Sequence, residues 1–179
     1  MKKTLVGTIL FTLFWPLSVL AETNIDVAFS PSLDCEQKLV KLIDESQDYI
    51  DVAVYAINNT PIMQALKNAH KRKVNIRILT DKLQASGKSS GVRDLYDFGI
   101  EIKVHSKNKL EHNKFAIFDG KVVFTGSFNW TNAATHKNSE NCLFLHQEPE
   151  IVQKYQSRFN ELWLMNSPQK STLWFEKKG

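Results

Sequence analysis

Hydrophobic positions along this chain change their period repeatedly, and each change marks a predicted element. Apolar residues that alternate or run together indicate strands, whereas apolar residues that recur every three or four positions indicate helices. Strands are predicted at 25–29, 49–57, 74–80, 100–104, 112–118, 122–125 and 141–145, and helices at 34–46, 61–72, 92–98 and 149–164. Strands that alternate with helices at this spacing predict an α/β fold, in which a mixed β-sheet is sandwiched by helices.

Local signals define several boundaries of these elements. Thr60 before Pro61 predicts an N-cap followed by the first helical residue. Gly99 is a plausible C-cap for the short helix before it. Asp119-Gly120 lies between two apolar runs and predicts a tight β-hairpin. The segments 81–91 and 106–110 are predicted to be loops, while the pattern does not place the tail from Ser167 onward. No internal repeat is visible.

The first residues have the pattern of an export signal. Met1-Lys2-Lys3 is followed by a largely apolar run over 5–20 and then by Ala21. A basic start, a short apolar core and a small final residue are typical of a secretory signal peptide. We therefore expect cleavage after Ala21, a single domain over 22–179, and a periplasmic or secreted protein. The alternative is an uncleaved N-terminal membrane anchor, although the run is somewhat short of the roughly 20 apolar residues that span a bilayer.

Charge and cysteine content add little constraint. Without residues 1–21 the chain has 158 residues and 21 basic against 19 acidic side chains, a net charge of +2. This charge permits a polyanionic partner but does not require one. Cys35 and Cys142 would lie in an oxidising compartment after export, so a disulfide and a pair of buried free thiols both remain open. Neither the cysteines nor the histidines have the spacing of a metal site, and no metal is predicted.

Candidate chemistry is concentrated around the predicted hairpin. His112 and Lys114 would share one face of a strand, since side chains at i and i+2 point the same way. An imidazole can attack phosphorus or donate a proton, and an ammonium offsets charge on phosphate oxygens. The second hairpin strand would bring Ser127 and Asn129 back toward His112 as neutral donors. Glu140, at the start of the next strand, is placed to accept from the histidine ring and orient it.

These residues resemble a known signature. His112-x-Lys114-x4-Asp119, followed by Gly126-Ser127, is similar to the HKD signature of the phospholipase D superfamily. The stretches 112–119, 125–132 and 137–141 together resemble the small bacterial Nuc-type endonucleases, which carry one HKD motif. The resemblance extends over essentially the whole chain after residue 21, and it implies a phospholipase D-like fold.

The resemblance also implies a mechanism and an assembly. Members of the superfamily use two histidines: one attacks phosphorus and forms a phosphohistidine, and the other protonates the leaving oxygen and then activates water. With one motif in this chain, the second histidine is expected from another subunit, in a two-fold homodimer with a shared active site. The implied catalytic residues are His112, Lys114, Glu140 and Asp119, the implied phosphate-binding residues are Lys114, Ser127 and Asn129, and no metal or cofactor is implied. Asp119 is equally well explained as a turn residue.

The substrate remains open at this stage. A nonspecific endonuclease acting on DNA or RNA is favoured by the small single-motif architecture and the mild basicity. The alternatives are a phospholipase D that converts phosphatidylcholine to phosphatidate, with possible membrane association, and a DNA-binding or uptake protein of the envelope. Lys103, Lys107 and Lys109 are the candidates for contacts with a polyanion. Phe128 and Trp130 are candidates for base stacking, although core packing is the favoured interpretation.

Overall fold

The computed structural model describes residues 24–107 and 109–178, so the predicted signal segment lies outside the described residues. These residues form a seven-stranded sheet with helices on both faces, which confirms the predicted mixed α/β sandwich. The strands are β1 (Asn24–Ser30), β2 (Tyr49–Val54), β3 (Asn75–Asp81), β4 (Glu101–His105), β5 (Lys114–Phe118), β6 (Val122–Gly126) and β7 (Glu140–His146). The helices are α1 (Asp34–Glu45), α2 (Thr60–Lys71), α3 (Lys82–Ala85), α4 (Val92–Asp97), α5 (Asn132–His136), α6 (Pro149–Met165) and α7 (Pro168–Lys178).

The sheet order is β1-β7-β6-β5-β2-β3-β4. Strands β2, β3 and β4 are parallel, whereas β5, β6, β7 and β1 continue the sheet in antiparallel pairs. This arrangement brings the ends of β1, β2, β3, β4 and β6 and the beginnings of β5 and β7 to one edge of the sheet. We call this the His112 edge, because His112 lies there in the loop before β5.

Two hydrophobic clusters hold the layers together. One lies between the sheet and the helices α1 and α2, with further contributions from α4, α5 and α7. The other lies under α6, which packs on β2, β5 and β6. Successive residues of β5 enter different clusters: Phe115 and Ile117 face α6, and Ala116 and Phe118 face the opposite side. The central strands are therefore buried on both faces, as their continuous apolar runs predict.

The buried carboxylate of Asp51 connects α6 to the sheet. The Asp51 carboxylate accepts two hydrogen bonds from Arg77, at 2.7 Å from Nε and 2.6 Å from Nη2. Gln156 of α6 donates to the same carboxylate at 2.7 Å. Because a buried carboxylate needs such partners to remain charged, these contacts fix the position of α6 over β2 and β3.

Several boundaries differ from the predicted ones. The N-cap of α2 is Asn59 and not Thr60, since the Asn59 side chain accepts from the Ile62 N–H. Strand β5 begins at Lys114, so His112 precedes the strand that was predicted to contain it. Strand β2 ends at Val54, three residues earlier than predicted. The Asp119-Gly120 hairpin is confirmed, with positive φ at both residues.

Three helices lie where none was predicted: α3, α5 and α7. The longest is α7, which accounts for the unplaced tail and covers the outer edge of the sheet at β4. There the Ser171 hydroxyl accepts from the Val104 N–H at 3.1 Å, so one backbone N–H of the edge strand β4 has a hydrogen-bond partner. Among the helices of the described residues, none combines the length and the apolar character needed to cross a membrane.

Cys35 and Cys142 form a disulfide, which resolves the choice between a bridge and free thiols. Their Cα atoms are 6.1 Å apart, and the bridge joins α1 to β7 across 107 positions of sequence. Both side chains are fully buried. The disulfide connects α1 to the sheet close to the His112 edge, where Cys142 is the register partner of Gly126.

Candidate active site

The sheet topology gathers most of the predicted site residues at the His112 edge. Val54, at the end of β2, pairs with Lys114 at the start of β5. The hairpin then returns β6 to the same edge, where Gly126 pairs with Cys142 of β7. Ser127 and Asn129 follow β6 directly, and Glu140 opens β7. Residues far apart in sequence therefore converge because parallel and antiparallel strands end at one place.

His112 is solvent-exposed and lies against an aromatic ring. Its imidazole centroid is 4.6 Å from the ring centroid of Tyr55, with the planes tilted by 57°. Within the described part of the chain, no hydrogen bond from a side chain occupies the imidazole. The ring nitrogens are therefore accessible to a phosphate group that enters from solvent.

Lys114 is buried, in contrast to the neighbouring histidine, with 8% of its surface exposed. Its Nζ donates to the His112 carbonyl oxygen at 2.5 Å and lies 5.0 Å from the centroid of the Tyr55 ring. Burial lowers the pKa of the Lys114 ammonium, whereas the nearby Glu140 and Glu111 carboxylates favour its charged form and oppose that shift. The backbone bond and the ring face together fix a cation beside the imidazole.

Ser127 and Glu140 form a hydrogen-bonded pair. The Ser127 hydroxyl donates to the Glu140 carboxylate at 2.5 Å and accepts from the Asn141 N–H at 3.1 Å. Asn138 donates to the other oxygen of Glu140 at 2.9 Å. No hydrogen bond joins Glu140 to His112 anywhere in residues 24–107 and 109–178, so the predicted orienting contact is absent from the single chain. Glu140 holds Ser127 instead.

Gly126 allows this close approach of β6 and β7. Its φ is +145°, and a Cβ at this position would lie 2.3 Å from the Asn141 carbonyl oxygen. No side chain fits that space, so the glycine is required by backbone packing.

Asn129 is held by its two aromatic neighbours. Phe128 and Trp130 are fully buried, so the structure assigns both to the core and not to base stacking. The Trp130 carbonyl accepts from the N–H groups of Asn58 and Asn59, at 2.9 and 3.0 Å. The Asn129 Oδ1 atom is buried without a hydrogen-bond partner among the described residues. The side-chain amide of Asn129 is thus presented on a fixed backbone with unused hydrogen-bonding capacity.

Asp119 is the one predicted site residue that the structure does not bring to this cluster. It lies beyond the far end of β5, and five residues of strand at about 3.4 Å each separate it from Lys114 by roughly 17 Å. Its carboxylate accepts from the N–H groups of Gln47, Asp48 and Tyr49 at 2.9–3.0 Å. The catalytic assignment of Asp119 is therefore corrected to a structural one, because its side chain binds the turn before β2.

The sequence analysis missed three residues that surround the histidine. Tyr55 contacts the side chains of both His112 and Lys114. Asp81 is buried and accepts from the Glu111 N–H at 3.0 Å. The Glu111 side chain is buried in turn and accepts from Asn113 Nδ2 at 2.6 Å. A signal was available for two of them, since Tyr55 and Asp81 lie at the carboxyl ends of parallel strands, where ligand sites of α/β sheets form.

The lysines predicted to contact a polyanion are not equivalent. Lys103 is buried, and its Nζ donates to the Trp163 carbonyl oxygen at 2.9 Å, so it is not available to a ligand. Lys107 and Lys109 are exposed in the loop before His112. As for metals, the residues that the structure describes contain no group of three or more His, Cys, Asp or Glu side chains arranged to hold an ion.

Comparisons with known proteins agree with this geometry. A family model described as "Cardiolipin synthase, PLD-like domain" matches residues 39–163. A phospholipase D of Rickettsia conorii is 30% identical over 154 residues, which cover 86% of this chain and 76% of that protein. A mitochondrial cardiolipin hydrolase of Xenopus laevis is 30% identical over 178 residues, covering 93% of this chain and 82% of that protein.

A solved structure gives the same result for the fold. The crystal structure of Nuc from Salmonella typhimurium, a phospholipase D family member, superposes with a TM-score of 0.77 at 29% sequence identity. The match covers 82% of this chain and 97% of that one. A histidine, a buried lysine and an amide at one edge of such a sheet define a phosphodiesterase site. The chain belongs to the phospholipase D superfamily.

Proposed function

We propose that this protein is an exported, metal-independent endonuclease that cleaves DNA and RNA as a homodimer. The charge of the segments that follow or precede the strands at the His112 edge favours nucleic acid as the substrate. The segments 82–91, 106–113 and 127–139 contain one acidic residue, Glu111, which is buried. The same segments carry five exposed lysines: Lys82, Lys88, Lys107, Lys109 and Lys137. A rim of cations around a phosphodiester site suits a substrate with many phosphates.

In the proposed reaction a ring nitrogen of His112 attacks phosphorus. A P–N bond forms, the P–O bond to the leaving oxygen breaks, and the partner subunit's His112 gives that oxygen its proton. Water then attacks phosphorus and passes a proton back to the partner subunit's His112 as the P–N bond breaks. Lys114 and Asn129 bind the non-bridging oxygens of the phosphate. Ser127, which is hydrogen-bonded to Glu140, contributes to the same phosphate-binding site.

The homodimer is supported by an exposed apolar strip beside the site. Ile25, Val27 and Phe29 alternate along β1 on the face that α6 covers elsewhere, and 64% of Phe29 is exposed. Phe29 is the register partner of Asn141, next to Glu140. An apolar strip that continues to the His112 edge fits a second copy of this chain, which would bring the second histidine.

A second candidate function is hydrolysis of phospholipid headgroups. Relatives are named phospholipase D and mitochondrial cardiolipin hydrolase. In addition, Leu83 of α3 and Leu110 of the loop before His112 are exposed at the His112 edge, and each follows a lysine. Exposed leucines beside lysines are also found where proteins bind anionic lipid surfaces.

A parallel assay separates these functions. The purified protein is incubated in EDTA with plasmid DNA, single-stranded RNA, phosphatidylcholine vesicles and cardiolipin vesicles. We expect cleavage of both nucleic acids, no release of lipid headgroups, loss of activity in His112→Ala, and full activity in the control His146→Ala, which alters β7 at its opposite end. Headgroup release without nucleic-acid cleavage would establish the second candidate. DNA binding without cleavage would indicate a binding or uptake protein.

A further inference from the structure

We propose that Tyr55 is a positioning residue, whose ring holds the side chains of His112 and Lys114 in place, while Gln84 of α3 adds a hydrogen bond at the phenol oxygen. The proposal rests on the proposed function of the site, and it assigns a role to a residue outside the HKD motif.

The Tyr55 ring contacts both side chains that carry the proposed chemistry. Its centroid lies 4.6 Å from the centroid of the His112 imidazole. The ammonium of Lys114 lies 5.0 Å from the same ring centroid. Ring–ring and cation–π contacts are both attractive and depend on orientation, so one ring can orient both groups.

The ring itself has little freedom to move. The Tyr55 N–H donates to the Asn113 carbonyl oxygen at 3.0 Å, and the Tyr55 carbonyl oxygen accepts from Thr80 Oγ1 at 3.3 Å. The phenol oxygen accepts from Gln84 Nε2 at 2.9 Å. Both the backbone and the tip of the side chain are thus anchored, and the ring contacts are left to act on His112 and Lys114.

The same anchoring extends to the backbone on both sides of the histidine. Asp81 accepts from the Glu111 N–H through Oδ2, and through Oδ1 from the Leu83 and Gln84 N–H groups, at 2.9 and 3.1 Å. Tyr55 holds the carbonyl of Asn113. The exposed imidazole therefore has no hydrogen-bond partner of its own among the described residues, yet both flanking residues are fixed. The ring of Tyr55 is the contact that selects its orientation.

The role is distinct from general stabilisation and predicts a specific kinetic pattern. The substrate is bis(p-nitrophenyl) phosphate, which is too small to depend on the exposed lysines around the site. Tyr55→Leu should lower kcat by about 10–100-fold with little change in KM, because a misplaced catalytic group can cost about two orders of magnitude in rate. Tyr55→Phe keeps the ring and should restore kcat to within about three-fold of the original protein. Gln84→Ala should behave as Tyr55→Phe does, because both remove the same hydrogen bond. Tyr55→Met, which keeps the bulk without the ring, replaces Tyr55→Leu if that variant does not fold.

A spectroscopic signature tests the contact without relying on turnover. The ring Cε1–Hε1 resonance of His112 is assigned by its absence from the spectrum of His112→Ala. It should carry a ring-current shift in the wild-type protein and in Tyr55→Phe. The shift should disappear in Tyr55→Leu and in Tyr55→Met. The control is Tyr96→Leu, which removes a half-buried ring of α4 that stacks on Phe175; it should change neither the resonance nor kcat.

Wild-type kcat in Tyr55→Leu and Tyr55→Met, an unchanged His112 resonance in them, or an equal loss in Tyr96→Leu would each overturn the proposal. If the original protein hydrolyses no phosphodiester at all, the proposed function fails, while the resonance comparison still decides whether Tyr55 positions the histidine.

Discussion

Lys114 and Asp119 belong to the same motif, yet they lie at opposite ends of β5 and in opposite surroundings. For Lys114, burial lowers the pKa, with Glu140 and Glu111 opposing the shift. For Asp119, burial would raise the pKa, but the N–H groups of Gln47, Asp48 and Tyr49 together with Lys121 outweigh burial and lower it. Lys114 is therefore a cation of the site with a lowered pKa, and Asp119 is a carboxylate that stabilises a turn.

The lowered pKa of Lys114 predicts an early alkaline limit of activity. Above this pKa the amine is neutral and no longer offsets phosphate charge, so kcat should fall at a pH below the ordinary lysine pKa of 10.5. A pH profile of kcat in EDTA measures the limit. Lys114→Arg stays charged and should lose this limb, even if its rate is lower overall. Lys114→Met should lose about 100–1,000-fold below this limit, as when a charge-stabilising donor is removed, and the difference should narrow above it, where the wild-type amine is neutral too.

Lys121→Met is the matched control for these variants, because Lys121 is exposed in the hairpin at the opposite end of β5. It should keep the original kcat and the original alkaline limit. An unchanged limit in Lys114→Arg would show that another group titrates.

Asp119→Asn tests the structural assignment of the third motif residue. At pH 7 we expect a loss of about 1–3 kcal/mol in the free energy of unfolding, since an amide has one acceptor oxygen where the carboxylate serves three donors. The folded pKa of Asp119 is lowered, so its contribution is complete above the ordinary value of 3.8 and disappears as pH falls through the folded pKa. Urea unfolding at several pH values measures this, and the gap between the two proteins should close in acid. A large fall in kcat at full stability would return Asp119 to the catalytic group.

At the scale of the elements, the sequence predicts those turns and helix ends that neighbouring residues determine, and it misses short helices and boundaries that distant contacts determine. The Asp119-Gly120 hairpin follows from its turn residues and is confirmed, whereas the N-cap of α2 lies one residue before the predicted Thr60. The helices α3 and α5 have four and five residues, too few for a period to be visible. Strand β5 starts late because the Glu111 N–H bonds to the Asp81 carboxylate and the Asn113 N–H bonds to the Glu111 carboxylate, so neither group takes part in strand pairing.

Among the candidate site residues, some can be predicted from local sequence, whereas others depend on contacts between distant segments. The motif spacing identifies His112, Lys114, Ser127 and Asn129, which the fold brings to one edge. Tyr55 and Asp81 lie at the ends of strands that are distant from His112 in sequence. The antiparallel pairing of β2 with β5 places Tyr55 beside His112, and the parallel pairing of β3 with β2 brings Asp81 to the same end of the sheet. The pairing of Ser127 with Glu140 also depends on the register of β6 and β7, which a single sequence does not reveal.

The disulfide between α1 and β7 is expected to dominate the stability of these two elements. Closing a loop of 107 positions removes entropy from the unfolded chain, worth about 4.7 kcal/mol in the chain-entropy model for a loop of roughly 100 residues. Cys35→Ala/Cys142→Ala should lower the unfolding midpoint strongly, and dithiothreitol should do the same to the original protein. The reductant should leave the double variant unchanged, because no other described cysteine exists. Equal midpoints with and without the bridge would contradict this expectation.

At the scale of the whole molecule, the strip on β1 decides whether the proposed site is complete. Phe29→Lys places a charge in an apolar strip, so it should produce monomers that lack activity. Sedimentation and DNA cleavage measure both effects. The control Leu164→Lys changes a leucine of α6 that is 82% exposed and should remain dimeric and active. An excess of His112→Ala protein should also lower the DNA cleavage activity of the wild-type protein when the two are mixed and their subunits exchange between dimers. An active monomeric Phe29→Lys would remove the case for a shared site.

Detection of the covalent intermediate tests the central claim most directly. The protein is mixed with bis(p-nitrophenyl) phosphate in EDTA, denatured in alkali, where phosphohistidine survives, and digested for mass spectrometry. The account predicts a nitrophenyl phosphate adduct on the peptide that contains His112, absent from His112→Ala and present in Asp119→Asn. Turnover that proceeds without any adduct, or that requires a divalent cation, would contradict it.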